Sequence, residues 1–483
     1  MARRDDTAAG RLRRETGTIS KDAPLRVALV YPSPYRAAMS SLGYQTLYRV
    51  INDLDGVCCE RAVLESPDDL PPLRTLESES PVGDAAVVAL SVATEAEVAL
   101  AARALVLSGI EPLEERRRAG EHAPLVVAGG PLTWADGAPL AAIADVVLCG
   151  EGEDTLTAVL DLAAAGTSRD ELIARAAGLP GALVPSLGTS GPVEPALAGA
   201  AWLPARSAIV TPDAELGGMF LVEAVRGCPR RCAFCVMERS RFRPVPAAEV
   251  LAHVPPHARR VGIVGAALLD HPEILEIVGQ LVDSGRRVSL SSLRADRLDA
   301  SLLELLARGG ARTLTVAADG GSERLRRLVR KGVTEDDLMR VARDAAQAGL
   351  RGVKLYAMVG LPTEQDEDVE ELCRLAREMS RTVPVSLAVS PFVPKARTSL
   401  ADEPFAPLRE LRGRISFIRK ALHGRVEVLA TSVRAAWVEQ AVARGGLKAG
   451  LAAVDAARDG CTFGAWRTAI ERFDLPGSDM IRA

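Results

Sequence analysis

Short apolar runs, each ending in turn residues, alternate with stretches of helical period along most of the chain. Residues 25–32 (LRVALVYP) form the first such run, and 85–92 (AAVVALSV), 124–131 (PLVVAGGP) and 144–153 (ADVVLCGEGE) repeat its form. Between them lie amphipathic stretches such as SLGYQTLYRVIND and EAEVALAARALVLSGI. A strand covered on both faces reads as a continuous apolar run. Strands alternating with helices at this spacing predict βαβ units, and hence an open, parallel, Rossmann-like sheet over residues 24–165. Residues 1–23 are charged and lack an apolar period, so a disordered tail is expected there. Residues 166–218, rich in Gly, Pro and Ala, are expected to be a connector.

A second α/β series begins at Met219. Its expected strands are 220–225, 260–265, 287–292, 313–318, 352–360 and 385–390, with helices such as PEILEIVGQLVDSG and TEDDLMRVARDAAQAG between them. Six β/α units in succession predict a partial (β/α)6 barrel over 219–400, with chemistry at the C-terminal strand ends. Residues 401–483 carry helical patterns and are expected to form a helical C-terminal region. The fold class is therefore α/β in three parts.

Composition narrows the function. The 483 residues are 48% hydrophobic and 25% charged, with a net charge of −4. That balance suits a chain with a sizeable core and argues against a nucleic-acid coat. No apolar stretch is long enough to span a membrane, and the polar start lacks the core of a secretory signal, so a cytoplasmic protein is expected. With only six lysines, nearly all the positive charge is arginine, which reads as codon bias.

Eight cysteines are too few for a disulfide scaffold at this length. Three of them, Cys228, Cys232 and Cys235, stand in GCPRRCAFC with C-x3-C-x2-C spacing. Electron-transfer [4Fe–4S] clusters use four cysteines. Three thiolates on one loop leave one iron open to a small molecule, which suggests that this iron does chemistry. The competing reading is structural zinc, which needs a closed set of four Cys or His ligands. The nearest later histidine is His253, and no fourth cysteine is close.

This segment, with Phe234 before its third cysteine, resembles the signature of the radical S-adenosylmethionine (SAM) enzymes. GIVGAALLDHPEI, SLSSLRADRLD, AADGGSERLRRLVRKGVTEDDL, KLYAMVGLPTEQDED and VSPFVPKARTSL follow in the order of the strand-end segments of one subgroup. That subgroup carries an N-terminal cobalamin (B12)-binding-like domain, which YPSPYRAAMSSLGYQTLY and VVAGGPLTWADGAPLAAIADVVLCGEGEDTL also resemble. The resemblance implies a [4Fe–4S] cluster on Cys228, Cys232 and Cys235 whose open iron binds SAM. It further implies reductive cleavage to a 5′-deoxyadenosyl radical, and a reductant such as flavodoxin or ferredoxin.

Other roles follow from the same resemblance. Many members have a Gly-Gly-Glu contact to the SAM amino group. This chain has Gly265-Ala266-Ala267 there, with Asp270 further on, so the glutamate is missing. Ser291, Ser292 and Arg294 are candidates for the SAM ribose or carboxylate. Asp319 and Ser322 are candidate polar contacts, and Gly360 and Pro362 are candidates for close passage beside adenine. In the front domain, Gly129, Gly130, Gly150 and Gly152 are candidates to admit a flat ligand, with strand-to-helix turns as the plainer reading. The resemblance suggests a corrin, yet the loop after the first strand lacks an axial histidine, and the first histidine is His122. Two alternatives stay open: cobalamin bound without that ligand, or a domain that keeps the shape alone. With cobalamin, methylation of an unactivated carbon or phosphorus is expected. Without it, hydrogen abstraction leads to another bond change. Cys58, Cys59 and Cys149 are expected to be buried hydrophobes and not ligands of a second cluster. His271 and Lys395 are flagged near strand ends, each with a structural role as the plainer reading. Substrate and catalytic residues are not written in the pattern. Nucleic acid and membrane are not expected as partners. The competing class is a non-catalytic Fe–S or zinc protein that binds a ligand or partner through its front domain.

Overall fold

The computed structural model describes residues 6–118, 123–188 and 193–480. The chain divides into two units. One comprises the residues up to Gly218 together with Ala441–Asp479; the other is built on Met219–Gln440.

The first unit holds β1 (Leu25–Tyr31), β2 (Val57–Val63), β3 (Val87–Ser91), β4 (Leu125–Gly129), β5 (Val146–Leu148) and β6 (Ala182–Leu183). Their order is β2-β1-β3-β4-β5-β6, parallel except for β6. The four expected strands are present, and each is buried almost throughout. β2 escaped the pattern because Glu60 and Arg61 interrupt its apolar run. The order reverses between β1 and β3, which places a crevice at their carboxyl ends.

The N-terminal segment departs from the expected disorder. A helix (Ala8–Arg14) is capped by Thr7, and Glu15 beyond it is drawn into the sheet. Buried Arg61 donates to Glu15 at 2.7 and 3.0 Å and to Glu77 at 2.6 Å. Tyr35 Oη also donates to Glu15, at 2.5 Å. A buried guanidinium requires carboxylate partners, and the polar tail supplies one of them. The C-terminal region carries the helices expected of it. The region contains a further strand and divides at Gln440, with 441–479 joining the first unit. There Gly450 packs so tightly that a Cβ would lie 2.1 Å from the Pro139 carbonyl oxygen.

The second unit holds β7 (Phe220–Arg226), β8 (Arg243–Pro244), β9 (Arg260–Gly265), β10 (Arg287–Leu290), β11 (Thr313–Asp319), β12 (Gly352–Val359), β13 (Val385–Pro391) and β14 (Glu427–Ala430). They form two four-stranded sheets, β10-β9-β7-β8 and β11-β12-β13-β14. A single parallel bridge, Leu293 to Val316, joins the two across the β10–β11 seam. All six expected barrel strands are present, with β8 and β14 added at the outer edges. Helices including Ile274–Asp283, Ala300–Arg308, Glu335–Gln347 and Asp366–Met379 connect them. Burial alternates along β11, β12 and β13. One face packs under the helices. The other keeps Thr315, Lys354, Tyr356, Met358, Ser386 and Ser390 partly accessible. This face is polar and open, unlike the packed interior of a closed eight-stranded barrel.

Candidate functional site

The cysteine loop leaves the C-terminal end of β7. Gly227 starts it with φ +78°, and a Cβ there would lie 2.0 Å from the Arg241 carbonyl oxygen, so only glycine permits this turn. The Cys228 amide donates to Ser240 Oγ at 3.0 Å, and Ser240 Oγ donates to the Met237 carbonyl at 2.8 Å. The Cys235 amide closes a turn on the Cys232 carbonyl at 3.0 Å. Ala233 is pinned on both sides: its amide donates to Val329 O at 3.0 Å, and its carbonyl accepts from the Leu400 amide at 3.1 Å. Its side chain joins an apolar cluster with Leu325, Val329, Leu361, Phe392 and Leu400, and Phe234 packs against that cluster. The loops after β11, β12 and β13 therefore all hold the cysteine loop in place.

The thiols of Cys228 and Cys235 are perturbed. Burial, with Cys232, Cys228 and Asp319 adding to it, pushes the Cys235 thiol up to about 11. Burial likewise raises Cys228, and Cys232 adds to the effect. Thiols held protonated in this way give up protons when they bind any metal ion. Among the described residues, no three Cys, His, Asp or Glu side chains converge as ligands of a single ion do. A cubane cluster differs in kind, since each cysteine takes a separate iron corner.

Charged side chains surround the loop. Arg294 Nη1 lies 3.8 Å from Cys232 Sγ. Its guanidinium is held by Asp296 at 3.0 and 3.1 Å and by the Lys331 carbonyl. Arg230 pairs with Asp270, with one contact at 3.1 Å. Asp319, at φ +62°, pairs with Lys331 at 2.7 Å. Of the residues expected at this site, Arg294 and Asp319 are beside the cysteines. Ser291 Oγ donates to the Gly265 carbonyl at 3.0 Å, and Ser292 is exposed next to it. Gly265 packs on Val225. Ser322 is otherwise engaged: it is buried, caps the helix Glu323–Leu328 and donates to Asp368. Gly360, at φ +82°, packs against Leu411 and Ala406, and Pro362 stays partly accessible beyond it.

Sequence reasoning missed Glu364 and Arg414, which lock the turn after β12. Glu364 Oε2 accepts from the Gly360 amide at 2.5 Å and from Arg414 at 2.6 Å. Burial pushes the Glu364 carboxyl up to about 7. It also missed buried Arg326, which donates to the carbonyls of Gly320, Gly321 and Val333 and so holds the turn after β11. Glu364 and Arg326 fall inside the strand-end segments already singled out, but their contacts to turn backbone and to Arg414, far along the chain, leave no mark in the pattern.

In the first unit, the space left by glycine is filled by the chain itself. Cβ atoms at Gly130 and Gly150 would lie 2.4 Å from Val92 O and 2.5 Å from Ala196 O, while Gly129 backs onto Leu148 and Gly152 precedes the helix Glu153–Ala164. The crevice between β1 and β3 is tied by Ser33 Oγ donating to Glu97 at 2.8 Å. His122 lies outside the described residues. Cys58, Cys59 and Cys149 are buried. Both nitrogens of buried His271 are committed, to the Val245 carbonyl and the Glu273 amide. Lys395 pairs with Glu439 at 2.5 Å.

Residues 222–376 match the family described as "Radical SAM superfamily", and 43–185 match "Radical SAM proteins, N-terminal". The chain belongs to the radical SAM superfamily. Members of that superfamily use a [4Fe–4S] cluster and SAM. Among curated proteins the chain is 37% identical over 218 residues to an uncharacterized protein of Methanocaldococcus jannaschii, covering 44% of this chain and 48% of that protein. It is 25% identical over 178 residues to a tRNA-2-methylthio-N(6)-dimethylallyladenosine synthase of Anoxybacillus flavithermus, covering 33% of each. The matched stretch thus spans at most about half the length of these relatives. The fold is similar to the radical SAM methyltransferase TsrM of Kitasatospora setae, with TM-score 0.58, 15% identity, and coverage of 95% of this chain and 100% of that one. It is also similar to the cobalamin-dependent radical enzyme OxsB, with TM-score 0.52, 14% identity, and coverage of 83% and 56%. The sequence expectations of fold class and superfamily are met. No described helix is long and apolar enough to cross a membrane.

Proposed function

We propose that this radical SAM chain is an enzyme that cleaves SAM reductively at the C-terminal mouth of the second unit, with methyl transfer as the reaction served. The observation that carries the reading is the three-cysteine loop fixed at strand ends by apolar packing from three neighbouring loops. Three thiols, with no fourth Cys or His beside them among the described residues, suit a [4Fe–4S] cluster with one open iron. When bound, that cluster supplies the electron for SAM cleavage. Cys228, Cys232 and Cys235 hold it. Arg294 sets a fixed positive charge against Cys232, which favours an anionic cluster and an incoming carboxylate. Leu325, Leu361, Phe392 and Leu400 keep water from the back of the loop, as a reactive radical requires. Lys354, Tyr356, Ser386 and Ser390 offer polar contacts to a substrate on the open face. A one-electron donor such as flavodoxin or ferredoxin, and a cytoplasmic setting, complete the reading.

Methyl transfer is supported by the likeness of fold to TsrM and OxsB. Among the described residues the first unit has no histidine, and the loop after β1 has none to serve as an axial ligand. The test is anaerobic reconstitution with iron, sulfide and cobalamin, followed by reductant and SAM. The reading expects about four irons and four sulfides per chain, with 5′-deoxyadenosine or S-adenosylhomocysteine formed by the wild type and not by the triple Cys→Ala variant. Zinc without sulfide, or equal product from the variant, would overturn it.

A further inference from the structure

The end of the second unit opposite the cysteine loop carries a cavity of about 480 Å³. It lies where the chain enters β10, β11 and β12. Five of its ten lining residues are arginines: Arg286, Arg287, Arg308, Arg312 and Arg351. Codon bias does not account for this density, because the whole chain has 59 basic residues in 483. Gly285, Gly310 and Gly349, with Val282 and Ala311, line the rest of the wall, so little side-chain bulk separates the guanidinium groups.

The charges are poorly compensated. Arg308 pairs with Asp283 at 2.5 Å, and Arg286 donates to Ser284 Oγ at 2.5 Å. Arg286 Nε is buried without a partner. Arg287 lies over Gly310, its Nε 3.1 Å from where a Cβ would stand. The side chains of Arg287, Arg312 and Arg351 make no hydrogen bond or ion pair to another residue among those described. The carboxyl ends of the helices Ile274–Asp283 and Ala300–Arg308 point to this end and attract cations. That partial negative charge offsets part of the arginine charge, and Arg287, Arg312 and Arg351 stay without a side-chain partner among the described residues.

We propose that this cavity is a binding site for a phosphate-rich small anion of the diphosphate class, separate from the SAM site. Several guanidinium groups converging on one cavity match the oxygens of a multiply charged phosphate, which accepts bidentate, charge-assisted hydrogen bonds. A cavity of this size admits a diphosphate with or without a nucleoside. Because the site faces away from the mouth of the barrel, occupancy is independent of SAM cleavage.

The test is calorimetric titration of the full chain with inorganic pyrophosphate and, separately, with ADP at low ionic strength. R312Q, R351Q and the double variant serve as comparisons. These positions are exposed, so folding is retained, and the circular dichroism spectrum checks it. Loss of one guanidinium contact weakens a charge-assisted bond by about tenfold. The wild type therefore binds at least one probe, each single variant binds it about tenfold more weakly, and the double variant loses measurable binding. Equal affinity for both probes identifies the phosphates as the whole determinant; tighter ADP binding adds a nucleoside contact. Failure of both probes to bind, binding unchanged in the double variant, or binding of an RNA oligomer in their place would each overturn the proposal.

Discussion

Replacing Arg414 by Met tests the lock on the turn after β12. Arg414 donates to Glu364 Oε2 at 2.6 Å and to the Glu364 carbonyl at 2.8 Å. Both side chains are buried. Removing one partner leaves a buried carboxylate uncompensated, which costs about 3–5 kcal/mol. The cost depends on pH in a defined direction. Burial already raises the folded Glu364 carboxyl from 4.5 to about 7, with Arg414 opposing the rise. A raised folded value means that proton binding stabilises the fold fully below pH 4.5, and that this stability is lost as pH rises through 7. Without Arg414 the folded value climbs further, so the variant goes on losing stability above pH 7 where the wild type has levelled. Each further unit is worth about 1.4 kcal/mol. The deficit of R414M should therefore be at least about 1 kcal/mol larger at pH 8 than at pH 6. Thermal melts followed by circular dichroism measure it, at about 2–4 °C per kcal/mol for a unit of this size, giving a drop of about 10 °C at pH 8. The double variant E364Q/R414M keeps the acceptor for Gly360 and removes the charge, so its deficit should not vary with pH. Equal deficits for R414M at the two pH values, or a drop under 2 °C at pH 8, would refute the reasoning.

Three further outcomes are expected. G227A places a Cβ against the Arg241 carbonyl and forces a left-handed alanine, at a cost of about 1–2 kcal/mol before any clash; iron retained after reconstitution should fall while secondary structure is unchanged. R61M leaves Glu15 and Glu77 buried without their counter-charge and should destabilise the first unit by about 3–5 kcal/mol, with hydrogen exchange rising first in residues 8–19. R294Q removes the positive charge beside Cys232, so the cluster should form but reduce at a lower potential, measured by redox titration, while R294K restores part of the shift.

Ten strands were legible because each is a short apolar run closed by turn residues, and their ends located the cysteine loop; β2, β14 and the two-residue β6 and β8 were not. Much of what escaped depends on partners distant in sequence. β2 carries Arg61 inside its apolar run, and a buried arginine looks like a surface residue until Glu15 and Glu77 are found around it. The polar tail looked disordered because its order comes from that same long-range pair. Glu364, Arg414 and Arg326 act by gripping backbone groups of the strand-end turns, and such contacts have no period. Ser322 was readable as a polar residue at the right place, but not as a cap already committed to Asp368. The glycines of the first unit showed that something comes close, and that something is the chain's own Val92 and Ala196.

The single bridge at the β10–β11 seam bears on how the cysteine loop is held. Backbone pairing makes each half-sheet a cooperative block, but one bridge gives the two blocks almost no shared ladder. The cysteines are on the block that contains β7, while Leu325, Leu361, Phe392 and Leu400, which seat their loop, follow strands of the other block. The seat of the three cysteines is thus built from both blocks. A substitution that weakens either block is therefore expected to loosen the cysteine loop, even where it touches none of the three cysteines.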